Sequence, residues 1–208
     1  MQKLLTLLPK ASWGYSKDVN SITYSRSKAK TLLSDAGLED GFSFDIWAMP
    51  VQRAYNPDAL KMAKLIKADL ANIGVEVNII SFEWATFLRK LAKGEHQSVL
   101  IGWSADHPDP DNFFSPLLSC PAVSTGGNRA FWCNSEFDNL LEQALAINNN
   151  KTRKQLYQRA QQIIYSEVPL LPIAHAKRAQ AKVADIEGDI LTPFGGINFE
   201  TVQRKEKN

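Results

Sequence analysis

Residues 57–80, PDALKMAKLIKADLANIGVEVNII, pass from one hydrophobic period to another across a single glycine. Pro57 opens a helix. Leu60, Ala63, Leu65, Ile66, Leu70 and Ile73 recur at helical spacing, and Gly74 closes the helix ahead of a strand over 75–80. On the amino side, Ser25 or Ser27 caps a helix that runs through Asp35 and stops at Gly37, and the alternation in 42–47 (FSFDIW) predicts a strand. On the carboxyl side, a helix over 83–93 sets Trp84, Phe87, Leu88 and Leu91 on one face. Gly94 ends it, and the apolar run 98–103 predicts a third strand. Strand, helix, strand, helix, strand with crossovers of this length implies an α/β fold with a parallel βαβ sheet and right-handed connections. Ligands of such sheets gather beyond the carboxyl ends of the strands.

The third strand empties into Gly102-Trp103-Ser104-Ala105-Asp106-His107-Pro108-Asp109-Pro110-Asp111-Asn112, which carries three carboxylates within six positions. Pro108 and Pro110 hold this segment out of a helix, so the acids sit on a stiff ledge suited to something positively charged. Turn chemistry is the plainer account of Asp109 and Asp111, since Asp-Pro pairs initiate turns and Asp111 can cap a short helix beginning at Asn112. Asp106 differs. It follows the strand end and two small residues, Ser104 and Ala105, that leave room for a ligand beside the backbone. Trp103 is the one tryptophan of five whose position suggests a site as readily as a core.

Composition narrows the classes. The chain has 208 residues, ordinary apolar and charged fractions, and 24 basic against 22 acidic residues, a formal charge of +2. That length holds one good-sized domain or two small ones. The charge is too small and too dispersed to argue for nucleic acid or an anionic membrane. The start has a signal-peptide flavour, but its apolar core falls short of the roughly 7 residues an export signal needs, and no window approaches the ~18 apolar residues of a membrane span. A soluble chain without its own export signal is the expectation.

Residues 1–24 read as loop and hold Leu4, Leu5, Leu7, Leu8 and Trp13 with no partner segment nearby, which predicts an exposed apolar patch. The two cysteines, Cys120 and Cys133, fall in a loop rich in Pro, Ser, Thr, Gly and Asn that lacks helix or strand periodicity. A local disulfide between them is the expectation, with a pair of free thiols the alternative. The spacing suits neither a CxxC redox motif nor a zinc site, and a bond here implies an oxidising compartment such as a bacterial periplasm. Helices follow over 135–147 and 151–166. The tail, 168–196, is broken by Pro and Gly into short extended pieces such as 168–174, 179–183 and 193–196, which look like strands crossing to another sheet.

Other chemistries find little support. Asp106, Asp109, Asp111 and Asn112 could ligate a hard cation, yet they miss the EF-hand pattern, and the prolines would strain the wrap. A carboxylate pair for acid–base hydrolysis lacks a tuned partner. His96, His107 and His175 have no metal spacing, and His96 reads as turn surface. No nucleophile elbow, P-loop or GxGxxG occurs, and Gly126-Gly127-Asn128 follows no strand. No enzyme, metal or cofactor is expected.

Several pieces together resemble a family. They are Ile73-Gly74-Val75-Glu76-Val77, Glu83-Trp84 with Phe87-Leu88, Gly94-Glu95-His96, Gly102-Trp103 through Asp106, Asp109-Pro110-Asp111-Asn112-Phe113, and Cys120 with Trp132-Cys133. The opening Trp13-Gly14-Tyr15, the run 27–33 and 167–174 add to it. The chain is similar to the extracytoplasmic solute-binding proteins of peptide ABC transporters, and most similar to the Sap-type branch linked to antimicrobial-peptide uptake and resistance, with dipeptide- and haem-binding relatives close behind. The resemblance implies a periplasmic-binding-protein-like lobe of a two-lobed fold. Residues 26–175 correspond to the carboxyl-terminal ligand-binding lobe, residues 1–25 to a first-lobe segment and crossover, and residues 176–208 to a return segment. Roughly the first half or more of a family member has no counterpart here.

The resemblance also implies a periplasmic location, ABC permease subunits as partners and an extended peptide as ligand, with haem as the alternative. By motif position Asp106 receives the ligand's α-ammonium group. Trp103, Ser104 and Ala105 are the strand-end residues that pair with the ligand backbone, and His107 lies beside them. Backbone pairing is indifferent to side chains, and an ammonium–carboxylate pair fixes register. Some oligopeptide-binding relatives carry an arginine in the strand before the tryptophan to receive a ligand carboxylate, whereas Val99, Leu100 and Ile101 stand here, which counts against short free-carboxyl peptides.

Overall fold

The computed structural model describes residues 6–17, 23–177, 179–192 and 197–205. Its centre is a three-stranded parallel sheet of β1 (Phe42–Ala48), β2 (Val75–Ile80) and β3 (Ser98–Leu100) in the order β2-β1-β3. Two glycines start it. Gly41 and Gly74 precede β1 and β2 with φ of 80° and 84°, and a Cβ at Gly41 would lie 1.9 Å from the Gly74 carbonyl oxygen. Only glycine serves at such a crossing.

Helix α1 (Arg26–Asp35) is capped by the Ser25 hydroxyl, which accepts from the Lys28 amide, and it buries none of its residues. Helix α2 (Ala59–Ala71) joins β1 to β2, and α3 (Trp84–Ala92) joins β2 to β3. Asp58, not Pro57, begins α2, its carboxylate accepting from the Lys61 amide. The buried stripe of α2 is Ala59, Ala63 and the partly buried Met62, Ile66 and Leu70, whereas Leu60 and Leu65 point to solvent. The sequence reading rotated the helix because it counted every leucine as inward. Helix α3 buries Phe87 and Leu91, as its period predicts, and the Glu83 carboxylate caps it by accepting from the Ala85 and Thr86 amides. Trp47 meets Phe82 and Phe87 on one face of the central strand. By strand alternation the buried Ile46 and Ala48 face the opposite side, so β1 is covered on both sides, as parallel sheets require.

A second core stands beside the first. Helices α4 (Asp111–Leu118), α5 (Cys120–Thr125), α6 (Ser135–Ala146) and α7 (Asn150–Glu167) surround Phe114, Leu118, Phe137, Leu140, Leu141, Leu156, Tyr157 and Ile164. Asn134 and Asn149 cap α6 and α7 through their side-chain oxygens. The expectation of an unpatterned cysteine loop is corrected here. Pro121 sits in the first turn of α5, where the missing N–H has no partner to lose. Cys120 and Cys133 are joined in a disulfide.

The expected bare leucine patch is also corrected. Leu8 is fully buried in the helical core, and Leu7 and Trp13 pack against it. Leu4 and Leu5 lie outside the described residues. His96 is not turn surface. Its Nε2 donates to the Arg129 carbonyl at 2.8 Å, and its ring rests against Trp47 and Phe131, tying the sheet to the disulfide loop.

In the tail, 168–183 forms no strand among the described residues. β4 (Ile186–Glu187) and β5 (Gln203–Arg204) pair antiparallel as a separate two-stranded ribbon. The extended piece expected over 193–196 lies outside the described residues. No helix among the described residues is long and apolar enough to cross a membrane.

Candidate functional site

β3 ends at Leu100, three residues short of the expected strand. Ala48 is the last β1 residue to pair with it, and β1 itself ends there. Residues 102–105 therefore leave the sheet with no backbone hydrogen bond to the rest of the chain among the described residues. They form a free backbone edge at the carboxyl end of the sheet, where ligands of such sheets collect.

Gly102 passes beneath the ring of Tyr55, and a Cβ there would meet a ring carbon at 2.4 Å. Trp103 is half-buried, Ser104 exposed, Ala105 buried, and Asp106 and His107 exposed. The Trp103 indole Nε1 donates to Asn112 Oδ1 at 3.2 Å, and the Asp106 amide donates to the same oxygen at 3.0 Å. Asn112 Nδ2 donates to His107 Nε2 at 3.0 Å. The structure thus brings Trp103, Asp106 and His107 together around one carboxamide, while the Asp106 carboxylate has no bonding partner among the described residues.

The remaining acids are occupied. Asp109 takes Arg153 Nη2 at 2.8 Å, the Tyr157 hydroxyl at 3.1 Å and the Asp111 amide at 3.0 Å. Burial first, then the Asp109 carboxylate, push the Tyr157 phenol well above its ordinary range, so it remains a neutral donor. Asp111 does not cap α4. It lies in the first turn and accepts from the Ser115 hydroxyl, while Asp109 receives the Asp111 amide. Burial raises the Asp111 carboxyl, with Ser115 opposing and Asp109 adding. Two of the three acids are thus framework, and no group of His, Cys, Asp and Glu suited to a metal ion occurs among the described residues.

Sequence reasoning missed Arg53. It lies in the loop that leaves the carboxyl end of β1, the strand beside β3, and its guanidinium stacks on the Trp84 ring at 4.6 Å. It is exposed and forms no ion pair among the described residues. The loop after β1 carried no motif, and it is Tyr55 in this loop that covers Gly102.

Three comparisons bear on this edge. The family model described as "Bacterial extracellular solute-binding proteins, family 5 Middle" matches residues 2–125. The chain is 44% identical over 196 residues to the dipeptide-binding protein of Escherichia coli strain K12, covering 94% of this chain and 37% of that protein. It is 40% identical over 201 residues to the peptide transport periplasmic protein SapA of Salmonella typhimurium, covering 97% of this chain and 36% of that protein. Among solved structures, the dipeptide-binding protein from Pseudoalteromonas sp. SM9913 in complex with Met-Leu aligns with a TM-score of 0.89 and 50% identity. That alignment covers 97% of this chain and 40% of the other. The chain therefore spans well under half the length of these relatives.

Proposed function

Because this chain belongs to family 5 of the bacterial extracellular solute-binding proteins, we propose that it supplies the ligand-receiving ledge of a periplasmic protein that hands peptides to an ABC permease without chemical change. The observation that carries this reading is the exposed Asp106 carboxylate, without a bonding partner among the described residues, just after the unpaired backbone of 102–105. An extended peptide adds to the open edge at 103–105, and its α-ammonium group pairs with Asp106.

A peptide as short as Met-Leu, the ligand of the Pseudoalteromonas relative, carries a carboxylate as well, and we assign that group to Arg53, an exposed cation in the loop after β1. The Sap-type likeness extends the same ledge to antimicrobial peptides, whose uptake would lower the dose acting on the cell. In this reading residues 26–175 form one lobe, and residues 1–25 and 176–208 run to another. Closure of two lobes buries the ligand, so the 208-residue chain alone binds weakly or not at all.

Haem is the second reading, favoured by the exposed His107 beside the ledge. Against it, the Nε2 of that ring already accepts from Asn112. Native mass spectrometry after incubation with a mixed peptide library and haem decides between them. Peptide adducts support the proposal, and a haem adduct without peptides would replace it.

A further inference from the structure

Every hydrogen bond made by residues 102–107, among the described residues, ends on one side chain, that of Asn112. Two N–H donors, from the Trp103 indole and the Asp106 backbone, converge on a single atom of its carboxamide. That atom is therefore the oxygen, and the nitrogen is the group that faces His107. A carboxamide oxygen has two acceptor sites, and both are used. The His107 ring consequently accepts at Nε2, with its proton on Nδ1.

Asn112 is itself firmly held. It sits in the first turn of α4, whose Phe114 and Leu118 are fully buried in the helical core. Its amide donates to the Asp109 carbonyl at 3.1 Å, and Asp109 is clamped by Arg153 and Tyr157. The ledge, by contrast, has left the sheet and has no ladder of its own. The rigidity of the helical core thus reaches the ledge through one carboxamide.

We propose that Asn112 is the positioning residue of this site, fixing the Trp103 indole and the Asp106 backbone relative to each other so that acid and aromatic ring meet a ligand as one preformed surface. The proposal rests on the peptide reading for its ligand, but not for its geometry. Asn112 does not itself contact the ligand. It lowers the cost of ordering the ledge on binding, which is what preorganisation contributes to affinity.

The test uses the 208-residue chain and two variants, Asn112→Ala and Asn112→Asp. Asn112→Ala removes both acceptor bonds, whereas Asn112→Asp keeps an oxygen for Trp103 and Asp106 and loses the donor to His107. Hydrogen exchange of the Trp103 indole N–H and the Asp106 amide is followed by NMR, and Met-Leu is titrated into each protein. The expected result is exchange at least tenfold faster at both groups in Asn112→Ala, protection retained in Asn112→Asp, and Met-Leu affinity lowered at least tenfold in Asn112→Ala. Unchanged exchange in Asn112→Ala would overturn the proposal, as would faster exchange with unchanged affinity. Should the alanine variant fail to fold, Asn112→Asp decides alone, since lost protection there contradicts the acceptor role. If the parent chain shows no response to Met-Leu, this lobe does not bind peptide by itself, and the exchange rates still judge the hub.

Discussion

Arg153 Nη2 lies 2.8 Å from Asp109 Oδ2, and this pair joins the long helix α7 to the acidic ledge. The same guanidinium donates through Nε to the Ala144 carbonyl at 2.8 Å and stacks on the Trp13 ring. One side chain therefore gathers α6, α7, the ledge and the opening segment. Both partners are mostly shielded from water, so the pair escapes the screening that makes surface ion pairs weak.

Arg153→Ala is predicted to cost about 2 kcal/mol, the scale of a hydrogen-bonded charge left without its partner. Arg153→Lys recovers only part of this, because a single ammonium cannot reproduce the planar fork that serves Asp109 and Ala144 together. Urea unfolding measures both. A lysine variant as stable as the parent would show that the fork is unimportant.

The raised Asp111 carboxyl gives a pH signature. Its folded value lies above the ordinary aspartate value of 3.8, chiefly through burial. In the window between the two, the folded chain holds a proton that the unfolded chain has released, so stability falls as pH rises through that window. Asn keeps an acceptor for Ser115 and cannot ionise. The stability difference, Asn112's neighbour Asp111→Asn minus parent, is therefore predicted to grow from acid pH toward neutral pH and then level off. A difference independent of pH would contradict the assignment.

Gly102 is predicted to tolerate no side chain while Tyr55 covers it. Gly102→Ala should destabilise by about 1–3 kcal/mol, as overpacking does, and it should be nearly neutral in a Tyr55→Ala background. A double-mutant cycle measures the coupling. Additive losses would mean that the alanine methyl meets something other than the ring.

Leu8→Ala should cost about 2–5 kcal/mol, because Leu8 is fully buried in the helical core. A loss below about 0.5 kcal/mol in thermal or urea unfolding would show that the opening segment does not contribute to that core.

Much of the sheet was legible because its signals are local. The alternation in β1, the helical stripe of α3 and the switch of period at Gly74 lie within windows of a dozen residues. What could not be read depends on partners far away in sequence. Leu8 packs among helices more than a hundred residues later. The third strand stops at Leu100, where its partner strand β1 ends at Ala48. α5 went unread within the cysteine segment, where Pro121 falls in the first turn, a position that tolerates proline. At the site, the strand-end residues were legible as a ledge, whereas Asn112 passed for a possible cation ligand and Arg53 passed unnoticed. A hub is defined by who converges on it, and that is a property of the folded chain.

Whether Asp106 receives a peptide's α-ammonium group is tested by a paired NMR titration with Met-Leu and N-acetyl-Met-Leu. The two ligands differ at the amino end alone, where acetylation removes the charge. Saturable shifts at residues 103–106 are expected with Met-Leu, with affinity at least tenfold weaker for the acetylated peptide and no such preference in Asp106→Asn. Equal binding of the two peptides by the parent chain would contradict that role.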